Sequence, residues 1–278
     1  MSYQILMDSC GDRTVDMKRD DRISLVPLCL QIDDREYTDD GELDIRKLLL
    51  SIEQSTDIPR SSCPSPIEYQ QKMAPHCERI YLISISGELS GSYNSASLAV
   101  KQIPQTQADI CLINSRSASA GQTLLALFIQ EWERQGYSFQ EITNMVAERK
   151  DKMKTRFVLE DLTMLERNGR LTGFKAKLAG ALHICPVLAA TPEGTICQTG
   201  QVRGMNRGIA KLFHQIVEDD KEYMWERMVI SHCCNEEMAI ELKTKLKKEF
   251  PERMIQIAST GGISSLYAGR GGIIVAYA

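Results

Sequence analysis

Along the first 150 residues, short apolar runs alternate with segments whose apolar positions recur every three or four residues. Residues 4–7, 25–32, 79–85 and 110–113 read as strands. Residues 44–53, the stretch carrying Ser95, Leu98, Ala99 and Gln102, and the stretch carrying Leu124, Leu125, Phe128 and Ile129 follow a helical period. This alternation predicts a parallel sheet covered on both faces. The rhythm then changes. A short helix at 161–167 is stopped by Gly169, and Phe174, Leu178 and Leu182 mark another at i, i+4 and i+8. Residues 184–190 and 196–202, joined through Pro192-Glu193-Gly194, read as a hairpin. Helices near 207–217 and 236–248 follow, the second with Asn235 as its N-cap. Strands near 228–231, 254–258 and 273–277 complete the pattern. The predicted fold class is α/β: an N-terminal parallel-sheet domain over residues 1–153 and a smaller α/β C-terminal domain over residues 154–278. The division falls in the charged stretch 150–155.

Composition narrows the function. The chain has 278 residues, 43% hydrophobic and 25% charged, with a formal net charge of -4. There is no basic stripe to recruit nucleic acid. No apolar run approaches the roughly 20 residues that cross a bilayer, so no membrane span is expected. Residues 1–12 lack a basic segment followed by an apolar run, so no secretory leader is expected. The nine cysteines are irregularly spaced without a C-x-x-C pair, which fits a reduced, cytoplasmic protein better than a disulfide framework. His232-Cys233-Cys234 ends an apolar run and reads as buried cysteine rather than a metal site; no metal and no cofactor are expected.

Ligands of open α/β sheets bind beyond the carboxyl ends of the strands. The segments there are Asp8-Ser9, Ser86-Gly87 with Ser90-Gly91-Ser92, and Asn114-Ser115 with Ser117 and Ser119. A fourth loop, Ser61-Ser62-Cys63-Pro64, precedes a capping box at Ser65-Pro66-Ile67-Glu68, whose helix start could suit an anion. Converging, these loops would form a crevice rich in neutral donors. Asp8 reads as a turn residue bonding backbone amides rather than as a nucleophile or metal ligand. Gly87-Glu88-Leu89-Ser90-Gly91 is not a nucleophile elbow. A serine hydrolase acting on acyl esters would need a histidine brought to Ser90 from His76, His183, His214 or His232. Gly261-Gly262 and Gly269-Arg270-Gly271-Gly272 could approach a phosphate but fit no P-loop. Read from the residues alone, the chain offers an anion crevice without evident catalytic machinery.

Six motifs in order resemble the DegV family of bacterial fatty-acid-binding proteins: Ile5-Leu6-Met7-Asp8-Ser9, Ser61-Ser62-Cys63-Pro64-Ser65-Pro66, the stretch from Ile85 to Ala96, the stretch from Asn114 to Gly121, Leu165-Glu166-Arg167-Asn168-Gly169-Arg170-Leu171, and Gln201-Val202-Arg203-Gly204. The resemblance implies a long-chain fatty acid bound non-covalently, its carboxylate between the domains and its tail in an apolar tunnel. It also implies a carrier without activity of its own that presents the acid to a fatty-acid kinase. The carboxylate-binding hydroxyls of the family fall on Ser61 and Ser90, with Ser62 and Gly91 beside them. Arg170 and Arg203 fall in segments associated with presentation to the partner. The family's closing His-Thr-Gly-Pro-Gly is here Tyr267-Ala268-Gly269-Arg270-Gly271, so Tyr267 replaces a histidine. Another small anion in the same crevice is the remaining alternative.

Overall fold

The computed structural model describes residues 2–103, 108–171 and 184–278, so the helix expected around Phe174, Leu178 and Leu182 lies outside the described residues. The chain opens with β1 (Tyr3–Asp8), buried along its whole length. The run expected as one strand at 25–32 is two strands in different sheets, β2 (Ile23–Val26) and β3 (Cys29–Ile32). Pro27 lies between them, and a proline has no N–H to give a ladder. β4 (Arg35–Thr38) returns along β3. Next come α1 (Ile45–Gln54), β5 (Arg60–Ser62) and α2 (Pro66–Lys72). β6 (Arg79–Ser84), α3 (Ser92–Lys101), β7 (Asp109–Asn114) and α4 (Ala120–Gln135) alternate as expected. α5 (Phe139–Lys152) was not anticipated, although Ser138 and Glu141 form a capping box at its start.

The second half contains β8 (Lys154–Val158), α6 (Thr163–Arg167), the hairpin of β9 (Ile184–Ala190) and β10 (Ile196–Arg203), and α7 (Met205–Glu222). It continues with β11 (Arg227–His232), α8 (Glu236–Glu249), β12 (Met254–Ser259), α9 (Gly262–Ala268) and β13 (Ile273–Tyr277). Asn235 occupies the N-cap position of α8, but its side chain does not cap. Its Nδ2 instead donates to the Gly271 carbonyl at 2.8 Å, tying the helix start to the turn before β13.

Three sheets result: parallel β2-β1-β6-β7, antiparallel β4-β3-β5, and mixed β10-β9-β8-β13-β11-β12. The α/β class with one parallel and one mixed sheet is as expected from the sequence. α4 explains how the halves join. Every residue from Ala120 to Ile129 is buried, because the helix packs on β1 and β6 on one side and on β11 and β13 on the other. A helix apolar all round belongs inside a core. α2 and α3 contact the parallel sheet, while α7 and α8 contact the mixed sheet. A separate cluster joins Leu30, Leu48, Ile85, Ile263 and Leu266 beneath the three-stranded sheet.

Candidate functional site

Asp8 holds the ends of β1 and β6 together. Its carboxylate accepts from the backbone N–H of Ile85 at 2.7 Å and of Cys10 at 3.3 Å, and from Gln122 Nε2 at 2.9 Å. Burial pushes its pKa up to about 6 despite those donors. The turn reading of Asp8 holds. Above it, the strand-end loops meet the mixed sheet around a narrow cavity of about 100 Å³.

Most of the cavity wall is apolar. Leu28, Ile85 and Leu89 come from the N-terminal half, and Phe157, Leu165 and Ile274 from the C-terminal half. Ser61, Ser90, Arg170 and Tyr267 all line it. Ser62 and Gly91, also expected at the site, are not among its lining residues. The reason for Ser62 is strand geometry. Ser61 pairs with buried Leu30 across β3, while Ser62 pairs with Cys29, and successive strand side chains face opposite sides. Gly91 is exposed and serves as the N-cap of α3. The α2 start is also unavailable, because Glu68 Oε2 already takes the Ser65 N–H and hydroxyl, each at 2.7 Å.

Ser61 Oγ and Tyr267 Oη lie 2.8 Å apart. Two hydroxyls sharing one hydrogen bond keep one proton to donate elsewhere. Ser90 Oγ accepts the Ser92 N–H at 3.2 Å and lies 2.9 Å from Ser92 Oγ, so that pair also keeps a proton. Arg170 lines the same cavity with its guanidinium 5.8 Å from the Tyr267 ring centroid. It is the one basic side chain lining the cavity among the described residues. A Schellman turn after α6 delivers it. Gly169 takes φ +75°, its N–H bonds the Glu166 carbonyl, and the Arg170 N–H bonds the Leu165 carbonyl at 2.8 Å. Arg170 Nε then donates to the Leu89 carbonyl at 3.2 Å. Arg203 lies elsewhere, exposed at the end of β10. Arg270 pairs with Glu53 at the surface at 3.1 Å.

α9, which carries Ser264, Tyr267 and Ala268 into the cavity, is fixed by carboxylates from the other half. Asp39 accepts from the Gly262 and Ile263 N–H groups at 2.8 and 2.9 Å, and Asp12 from Gly261 N–H at 2.9 Å. Asp12 also accepts from the Ser119 hydroxyl. Burial raises both acids, Asp12 to about 6. Gly261-Gly262 therefore does cradle an anion, but the anion is the protein's own. A Cβ at Gly262 would meet Asp39 Oδ1 at 2.8 Å. Neither aspartate was legible as part of the site.

Among the described residues no histidine lines the cavity. His232 instead receives the Asn235 N–H at 3.2 Å. Nothing described supplies Ser90 with the base that the hydrolase reading required.

The family model described as an uncharacterised protein of the DegV family matches residues 2–278. A DegV domain-containing protein of Streptococcus pyogenes serotype M1 is 32% identical over 281 residues, covering 100% of this chain and 99% of the relative. A DegV-family crystal structure from Ruminococcus gnavus, described with vaccenic acid, is 43% identical, with a TM-score of 0.93 and 99% of each chain covered. The Streptococcus pneumoniae fatty acid kinase (Fak) B3 protein, loaded with linoleic acid, is 29% identical, with a TM-score of 0.90, and the match covers 100% of this chain and 99% of that one.

Proposed function

The chain belongs to the DegV family, and from that premise we propose that it binds one long-chain fatty acid non-covalently and carries it to a fatty-acid kinase. One observation carries the reading: an apolar cavity holds spare hydroxyl protons at Ser61–Tyr267 and Ser90–Ser92, with Arg170 as its basic side chain. A carboxylate would accept from these hydroxyls, and charge-assisted bonds would fix its orientation. The tail supplies the affinity. A dozen buried methylenes at ~0.8 kcal/mol each give about 10 kcal/mol before binding costs. Arg170 belongs to the head-group side in this reading, and exposed Arg203 to the face a kinase would meet.

The ligand lies between units 1–153 and 154–278. That division is supported by α5 ending at Lys152 and β8 opening the mixed sheet at Lys154. A cytoplasmic location is supported by nine free cysteines. Among the described residues no helix is long and apolar enough to cross a membrane. Native mass spectrometry of the purified protein tests the proposal. A fatty-acid mass at near-stoichiometric occupancy is the expected result; protein that is empty and refuses added oleate would remove the carrier reading.

A further inference from the structure

A second concavity lies at the opposite end of the parallel strands. Its floor includes Tyr3 at the start of β1 and Arg79 at the start of β6, and its far side includes the starts of β11 and β12 and one face of α8. It is an open groove of about 1140 Å³ between the two halves. Its carboxylates are already engaged. Glu133 holds Arg79 at 3.0 Å and the Tyr81 hydroxyl at 2.6 Å. Glu131 holds Arg134 at 2.6 Å. Glu141 caps α5 through the Ser138 N–H and hydroxyl. Arg22, also in the groove, is held by Asp20 at 2.7 Å.

Arg227 makes no salt bridge among the described residues; Glu131 and Glu226 act on it only through space. The residue is only 7% exposed. One terminal nitrogen donates to the Leu127 carbonyl at 2.8 Å, the other approaches Met254 Sδ at 3.5 Å, and the guanidinium lies 5.4 Å from the Phe128 centroid. None of these is an anion, and its buried Nε has no hydrogen-bond partner. The buried Tyr3 hydroxyl, in the same floor, also has none. Buried charge is ordinarily paired, because an uncompensated ion loses hydration without return. One turn apart on α8, Lys243 and Lys247 face the same groove. Among the described residues Lys247 reaches only the Pro251 carbonyl, at 2.9 Å.

We propose that this groove is a second ligand site, which takes a phosphate group over Arg227 with Lys243 and Lys247 closing on it. A guanidinium fork and two ammonium groups exceed what a single carboxylate neutralises and suit a dianion. The phosphate could belong to a soluble molecule or to a lipid head group, and the test separates them. Fatty-acid-loaded protein is titrated calorimetrically with pyrophosphate, and separately mixed with phosphatidylcholine vesicles with and without phosphatidate. Pyrophosphate binding that weakens about tenfold or more in Lys243→Gln/Lys247→Gln supports a soluble ligand. Binding only to phosphatidate vesicles, lost in the same variant, supports a head group. Arg227→Met should abolish either; the lysine variant, altered only at half-buried helix positions, keeps the test sound if Arg227→Met does not fold. No binding to either probe, or binding that the lysine variant leaves unchanged, overturns the site. Fatty-acid occupancy is read in parallel and should not change, so the two cavities are judged separately.

Discussion

Ser61 with Tyr267, and Ser117 with Thr155, are hydroxyl pairs lining the same cavity, at 2.8 and 2.7 Å. Their bonding differs. Ser117 also donates to the Ala118 carbonyl, so the proton that a pair would otherwise spare is spent inside the protein. Ser119 gives its proton to Asp12, and Ser264 gives its own to the Cys10 carbonyl. The Ser61–Tyr267 pair has no further acceptor among the described residues. A wall with closed bonding contributes rigidity, and a wall with a proton to spare can recognise a ligand. Residual bonding capacity, rather than the number of serines, marks the site.

Substitutions should separate the two walls. The largest effect is expected at the clamp on α9. Asp39→Ala strands the Gly262 and Ile263 N–H groups, at ~1–3 kcal/mol for each unsatisfied donor. Thermal denaturation should show a clear drop in Tm, and fatty-acid binding should weaken with it as Tyr267 loses its support. Ser61→Ala should do the reverse. Loss of one charge-assisted bond predicts a 10- to 100-fold weaker fatty acid, about 1.5–3 kcal/mol, with the melting temperature nearly unchanged. A variant that melts early but binds normally would place Ser61 with the closed wall instead.

Tyr267→His sharpens the comparison through pH. Histidine titrates near pH ~6.5, whereas tyrosine stays neutral up to about pH 10. Protonated histidine attracts the carboxylate, so from pH 8 to pH 6 affinity in this variant should rise severalfold relative to the native chain at the same pH, a ratio that cancels the titration of Asp8 and Asp12 near pH 6 common to both. A flat ratio would put the carboxylate away from position 267. The smallest binding effect belongs to Ser117→Ala. It leaves the Thr155 hydroxyl short of a partner and should cost about 1 kcal/mol of stability. Affinity measured by fluorescent fatty-acid displacement should move less than about twofold.

Much of this was legible in the chain. Ser90 lies in a hydroxyl-rich loop after a predicted strand and Ser61 in one before a predicted helix, and it is the resemblance, carried by the order of the motifs, that singles out both. That Ser61 and not Ser62 faces the cavity was not legible, because β5 is three residues long, too short for a period of two to show. The break at Pro27 had a local signal that the apolar run from 25 to 32 obscured. α5 had a signal too: Ser138 with Glu141 caps a helix that buries Ile142 and Val146, but the charges around them hid the period. The clamp on α9 had no local signal. Asp39 and Gly262 lie 223 positions apart, Asp12 and Gly261 249, and only the folded topology brings them together.

β13 sits in the middle of the mixed sheet, between β8 and β11, although it comes last in sequence among the described strands. Until it inserts, β10-β9-β8 and β11-β12 are two ribbons with no ladder between them. Phe157 and Ile274, cross-strand neighbours on β8 and β13, both line the cavity. The cavity wall therefore depends on long-range strand pairing, of the kind that folds slowly. Release of this one strand into solvent would open the cavity along its length.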